Sequence, residues 1–283
     1  MFNARLQRTV LMVSAVLAMA SAHAADPLPS TATGSFASQG TKLDVKSALA
    51  FHGKSFLGGD DALIVAVTNA RVNAELLADF SDRRRAMEKR VKDRDTGVVY
   101  LEFRPNGSYR GVSYYFGPGN GCGFCSSEVE STTRLAQGRI AGRLNGTESG
   151  RPFDIVLDVP VLSDDHGAAL AADGGAPGAA YLAYHAALVK GDKAQVKALL
   201  SDEGLQGWAA AEKKNDIAGY LRYLAGDHPE KSVRIVKGYA RDATALLLIT
   251  GESGAGKVSG EVLLVKERGS WRVNDELTEL ELR

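Results

Sequence analysis

Cysteine is nearly absent from this chain: Cys122 and Cys125 are the only two in 283 residues. That excludes a disulfide framework. It also excludes a cysteine-based zinc site, which needs four ligands, because no histidine lies close to the pair. Excess charge of one sign is missing as well, with 34 basic against 34 acidic side chains. Such a balance argues against general affinity for nucleic acid or anionic lipid. After residue 24 no apolar run approaches the ~18 uninterrupted residues of a membrane helix, so no transmembrane anchor is expected. His52, His166, His185 and His228 are scattered along the sequence. No G-x-S-x-G serine elbow occurs, and nothing in the pattern calls for a metal or cofactor.

What is present begins with an export signal. Arg5 and Arg8 precede the apolar stretch "VLMVSAVLAMA" (10–20), and "AHA" (22–24) supplies small residues at the cleavage positions. Cleavage after Ala24 is expected, giving a periplasmic or secreted product. Two of the 34 basic residues leave with the leader, so the mature chain carries 32 against 34.

Residues 34–162 read as mainly strand. "ALIVAVTN" (62–69) is a β-branched run, and "VVYLEFR" (98–104) and "YRGVSYYF" (109–116) flank the turn "PNGS". A second hairpin pattern covers 133–162, and only 70–92 reads as helix. Many short strands joined by Gly/Asn turns predict a β-rich domain, a β-sandwich or small barrel. Residues 163–176, "SDDHGAALAADGGA", lack an apolar face and read as a linker. From 177 the period becomes helical, with a break at Gly191-Asp192 and a further helix over 216–226. Three strands follow over 232–240, 243–252 and 256–269, then a short final strand over 270–277. Helices followed by successive antiparallel strands predict an α+β roll.

The segments "ALVKGDKAQVKALLS" and "GEVLLVKERGSWRVNDE" carry a resemblance. Through them, residues 177–283 resemble the nuclear transport factor 2-like superfamily, a cone-shaped α+β roll. The resemblance implies a pocket between helices and sheet, and dimerisation through the outer sheet face. It implies no specific activity, since isomerases, hydrolases and binding modules share the fold.

Three motifs compete with this frame. "GESGAGKV" (251–258) meets the phosphate-loop pattern up to Lys257, but Val258 stands where a Mg²⁺-binding Ser or Thr belongs. The alternating sequence after it predicts a strand, so the segment reads as a hairpin turn. "CGFC" has dithiol spacing but no βαβ context, and a local Cys122–Cys125 disulfide is the expectation. The charge run 82–95 reads as a solvated helix face.

Within the roll, Tyr181, Tyr184, His185, Trp208, Tyr220, Tyr223 and Trp271 either line a pocket or pack the core, and packing is the simpler reading. The function expected is a non-enzymatic envelope protein binding a small apolar ligand or a protein partner. The alternatives are a hydrolase or isomerase using His185 or a carboxylate in the cone, and, more remotely, a thiol-disulfide oxidoreductase.

Overall fold

The structure is a computed structural model that describes residues 30–281 apart from 39–40, 59–60, 71, 73–76, 78, 92–95, 117–120, 125–128, 149 and 227. The expected leader lies outside the described residues. Strands β1 (Thr31–Ser38), β2 (Thr41–Asp44), β3 (Ser47–Lys54) and β4 (Asp61–Thr68) open the chain, followed by helix α1 (Arg83–Arg90). Then come β5 (Val98–Phe103), β6 (Tyr109–Tyr115), β7 (Gly121–Phe124), β8 (Val129–Ser131), β9 (Arg134–Ala136), β10 (Arg139–Glu148) and β11 (Arg151–Pro160). These form two antiparallel sheets, ordered β2-β1-β11-β10-β8 with β9 also on β10, and β3-β4-β5-β6-β7.

The C-terminal region contains β12 (Ala168–Ala169), α2 (Gly175–Lys190), α3 (Lys193–Leu199), α4 (Asp202–Lys213) and α5 (Ile217–Ala225). Strands β13 (Ser232–Arg241), β14 (Thr244–Glu252), β15 (Lys257–Glu267) and β16 (Ser270–Glu281) complete it. They build a third sheet in the order β12-β13-β14-β15-β16. A β-rich N-terminal region is thus followed by an α+β region, as the sequence predicts.

Three cores stack these layers. Every side chain of β4 after Asp61 is buried, which explains why it reads as a continuous apolar run instead of an alternating one. Its successive side chains point to opposite faces. Leu63, Val65 and Val67 pack with Phe36, Phe153 and Ile155 of the first sheet, whereas Ile64 and Ala66 share a core with Phe80, Met87, Leu246, Leu263 and Leu277. The second sheet and α1 therefore cover one face of the third sheet. That covered face is the one through which the resemblance implied dimerisation. On the other face, α2, α3 and α4 pack Tyr181, Tyr184, Val196 and Trp208 against Leu247, Val262 and Leu264.

Local signals account for the helix ends. Gly191 ends α2 in the left-handed region at φ 69, and Asp192 Oδ1 then accepts from Gln195 N, starting α3. Ser201 caps α4 and Asp216 caps α5 in the same manner. In the turn between β5 and β6, Gly107 has φ 82, and a Cβ there would stand 2.3 Å from Leu135 N. Both turn geometry and close backbone approach demand glycine at that position.

Four expectations are corrected. Cys122 lies in β7, its backbone opposite Tyr114, and no disulfide-distance pair is found among the described residues. Strand backbone at Cys122 carries the chain away by about 3.3 Å per residue, whereas a C-x-x-C bridge needs a turn there. Cys125 itself lies outside the described residues. The final strand is not short but runs 12 residues. Within the helix expected over 70–92, the continuous described helix is α1 alone. Its charges do not form a solvated face: Arg83 is buried, reaching Asp164 and the Ser163 carbonyl, while Arg85, Lys89 and Arg90 pair with the third sheet.

The phosphate-loop look-alike is a hairpin. Glu252 pairs with Lys257 across it, Ser253 N donates to Gly256 O, and Lys257 begins β15. A Cβ on Gly251 would meet Ser232 O at 2.2 Å. Close packing, with no phosphate, therefore accounts for this glycine.

Candidate functional site

The site starts from a defect in β16. Opposite β15, Leu263 pairs with Asp275 and Leu264 with Val273, so Asn274 is an extra residue, a β-bulge. One extra residue reverses the alternation of everything after it. Val273 accordingly faces the helices while Leu277 joins the core under α1. Asp275 and Glu276, adjacent in sequence, point to opposite sides. Ser201 holds the bulge, its hydroxyl bonding Asn274 Oδ1 at 2.8 Å and its N–H donating to Val273 O.

Asp275 turns to α1. Lys89 Nζ lies 2.6 Å from its Oδ1, and Arg90 Nη1 bonds its Oδ2. Burial alone would raise the Asp275 carboxyl pKa, but the two cations together hold it below the usual carboxylate value. The unpaired edge of β16 is served by the same helix, because Lys89 Nζ donates to Glu276 O and Arg85 to Thr278 O. Ion pairs and edge carbonyls thus fasten α1 to the third sheet.

Glu276 turns the other way. Its Oε1 accepts from Tyr181 Oη at 3.0 Å and from His228 Nδ1 at 2.9 Å. A carboxylate oxygen can only accept, so His228 carries a proton on Nδ1. His185 Nδ1 lies 2.6 Å from His228 Nε2, and the two nitrogens share one hydrogen bond. Burial, with His228 beside it, holds the His185 pKa below the ordinary imidazole value, against an opposing pull from Glu276. The Glu276 side chain is 10% exposed, and its Oε2 is buried without a hydrogen-bond partner among the described residues.

A cleft of about 980 Å³ opens here, between α1, the β16 edge and helices α4 and α5. Tyr184, Tyr220 and Tyr223 line it together with Lys89, Asp275 and Glu276. Burial first, then Glu276, raises the Tyr184 phenol pKa, while burial and then Asp275 raise that of Tyr220. Both phenols therefore stay neutral. Gly204 and Gly207 of α4 also line the cleft. A Cβ on Gly207 would stand 2.5 Å from Tyr220 Oη, so the glycine makes room for that ring.

No protein-family model and no curated protein matches this chain.

The aromatic residues named from sequence divide into three groups. Tyr184, Tyr220 and Tyr223 line the cleft. Tyr181 and His185 are not among its lining residues but belong to the Glu276 cluster, Tyr181 bonding the carboxylate directly and His185 through His228. Trp208 and Trp271 are packing residues. Trp208 is buried, donating to Glu212 Oε1 at 2.8 Å with its ring edge-on to Tyr220, and Trp271 packs half-buried against the helix-side core. Sequence reasoning missed Glu276, Asp275 and the cations of α1. One signal was available: adjacent acidic residues in the strand "VNDEL" must face opposite ways, so one of them points inward. As for the thiols, Gly121–Phe124 is strand, so no helix starts at Cys122 as thioredoxin-like dithiol chemistry requires.

Proposed function

We propose that this is an exported binding protein of the bacterial envelope that holds a small ligand in the cleft between α1 and the C-terminal roll. The roll is read as a nuclear transport factor 2-like cone whose pocket has shifted toward the edge of the sheet. The observation that carries the reading is Glu276 Oε2. Among the described residues that buried oxygen has no donor, which costs stability, and Glu276 lines a cleft that three tyrosines also line, which fits a ligand that supplies one. Mostly apolar walls with a few convergent polar groups are the usual makeup of small-molecule sites. Native mass spectrometry of the protein purified from the periplasm tests this: a non-covalent small-molecule adduct is expected, and the bare chain mass alone would count against it.

A second reading is hydrolysis or isomerisation beside the cleft, favoured by the chain from Glu276 through His228 to His185. Carboxylate, imidazole and imidazole in series hold the terminal ring in one orientation, which is how a general base is positioned. Turnover of an added substrate that disappears in His185→Gln while ligand retention persists would favour this reading over simple binding.

A further inference from the structure

Resting on the binding reading, we propose that the ligand is an organic monocation, an ammonium group on an apolar or aromatic body, with the ammonium bonded to Glu276 Oε2.

The charge inventory around the cleft points to it. Lys89 and Arg90 are committed to Asp275, with Arg90 also 3.7 Å from Glu203; Arg85 pairs with Glu279 and Arg84 with Glu88. Among the described residues, Glu276 is the cleft carboxylate with no lysine or arginine partner. Its Oε1 is saturated by Tyr181 and His228, whereas Oε2 is buried with no partner among the described residues. A cationic donor supplies the missing hydrogen bond as a charge-assisted one, the stronger kind. Neutral donors supply a weaker one.

The walls suit the same group. Tyr220 and Tyr223 stack with ring centroids 6.0 Å apart. The Tyr223 ring already accepts a cation on its face, with Lys89 Nζ 6.0 Å from the centroid. Neutral phenol rings attract cations through their quadrupole, and about 980 Å³ leaves room for a body beyond the ammonium. A ligand anion would instead meet Glu276 in the lining.

Isothermal titration of the full mature protein with 2-phenylethylamine and with its isostere 2-phenylethanol tests the proposal. The amine should bind at least about tenfold more tightly, as expected for a charge-assisted bond at a buried carboxylate. Glu276→Gln should erase the difference. Should that variant fail to fold, Tyr223→Ala, which changes a largely exposed ring, should weaken the amine more than the alcohol. Equal affinity of the two compounds for the native protein, or an amine preference that survives in Glu276→Gln, overturns the proposal. If neither compound binds yet the purified protein retains another small molecule, the cation proposal fails and the binding reading stands. If nothing is retained and nothing binds, both fail.

Discussion

His185 shows what a single residue reveals in sequence and what it hides. Its spacing from Tyr181 predicts a shared helix face, and the two do meet Glu276 through one hydrogen-bonded cluster. Its partners come from 43 and 91 positions away, His228 and Glu276, so no local pattern announces them. The cluster has a pH consequence. An unfolded chain protonates His185 near pH 6.5, while the folded protein does so at lower pH. Between those values the unfolded chain binds more protons. The stabilising contribution is therefore complete above about pH 6.5 and is lost as the pH falls toward the folded value. The melting temperature should drop from about pH 7.5 to about pH 5, and drop less in His185→Gln. Parallel curves for the two proteins would refute this. Asp275 titrates in the opposite sense to a raised group, contributing above its unfolded value and losing that contribution only in strong acid. Asp275→Asn leaves Lys89 and Arg90 facing each other and should cost about 3 kcal/mol in denaturant unfolding, the lower end for a broken buried pair.

Elements were legible wherever period or punctuation was strong. Gly191-Asp192 marked the α2–α3 break, "PNGS" marked the β5–β6 turn, and alternation after Gly256 marked β15. Helix α4 was not anticipated, because Gly204 and Gly207 interrupt "DEGLQGWAAAEK" and only Leu205, Trp208 and Ala211 form a stripe. Those glycines lower helix propensity but keep the cleft open. Gly207→Ala should leave stability level or raise it by up to about 1 kcal/mol from propensity alone. The new methyl would push the Tyr220 ring and weaken 2-phenylethylamine in the same preparation. An affinity unchanged by the substitution would show that Tyr220 is not part of the site. The bulge at Asn274 was equally invisible, since a one-residue slip leaves no trace in composition. It decides which of two neighbouring carboxylates turns to α1 and which to Tyr181 and His228.

At the scale of the molecule, the sequence marks a change of composition at 163–176 but not the packing across it. Leu49, Ile64 and Met87 share a core with Leu246, Leu263 and Leu277, pairs separated by more than 150 positions. Contacts that distant follow from layer order, which periodicity does not encode. A shared core predicts one cooperative thermal transition in calorimetry, and two resolved transitions would contradict it. Leu277→Ala should lower the stability of the whole by about 3 kcal/mol, because both halves line that cavity. The cleft inherits the arrangement: α1 from one half and β16, α4 and α5 from the other enclose it. Hydrogen exchange read by mass spectrometry tests this most directly, comparing protein as purified with protein stripped of its small molecule by unfolding and refolding. Exchange slowed together by the retained molecule in residues 83–91, 220–224 and 273–278 is the predicted result. Protection confined to the 251–258 hairpin, or identical exchange in the two preparations, would contradict it.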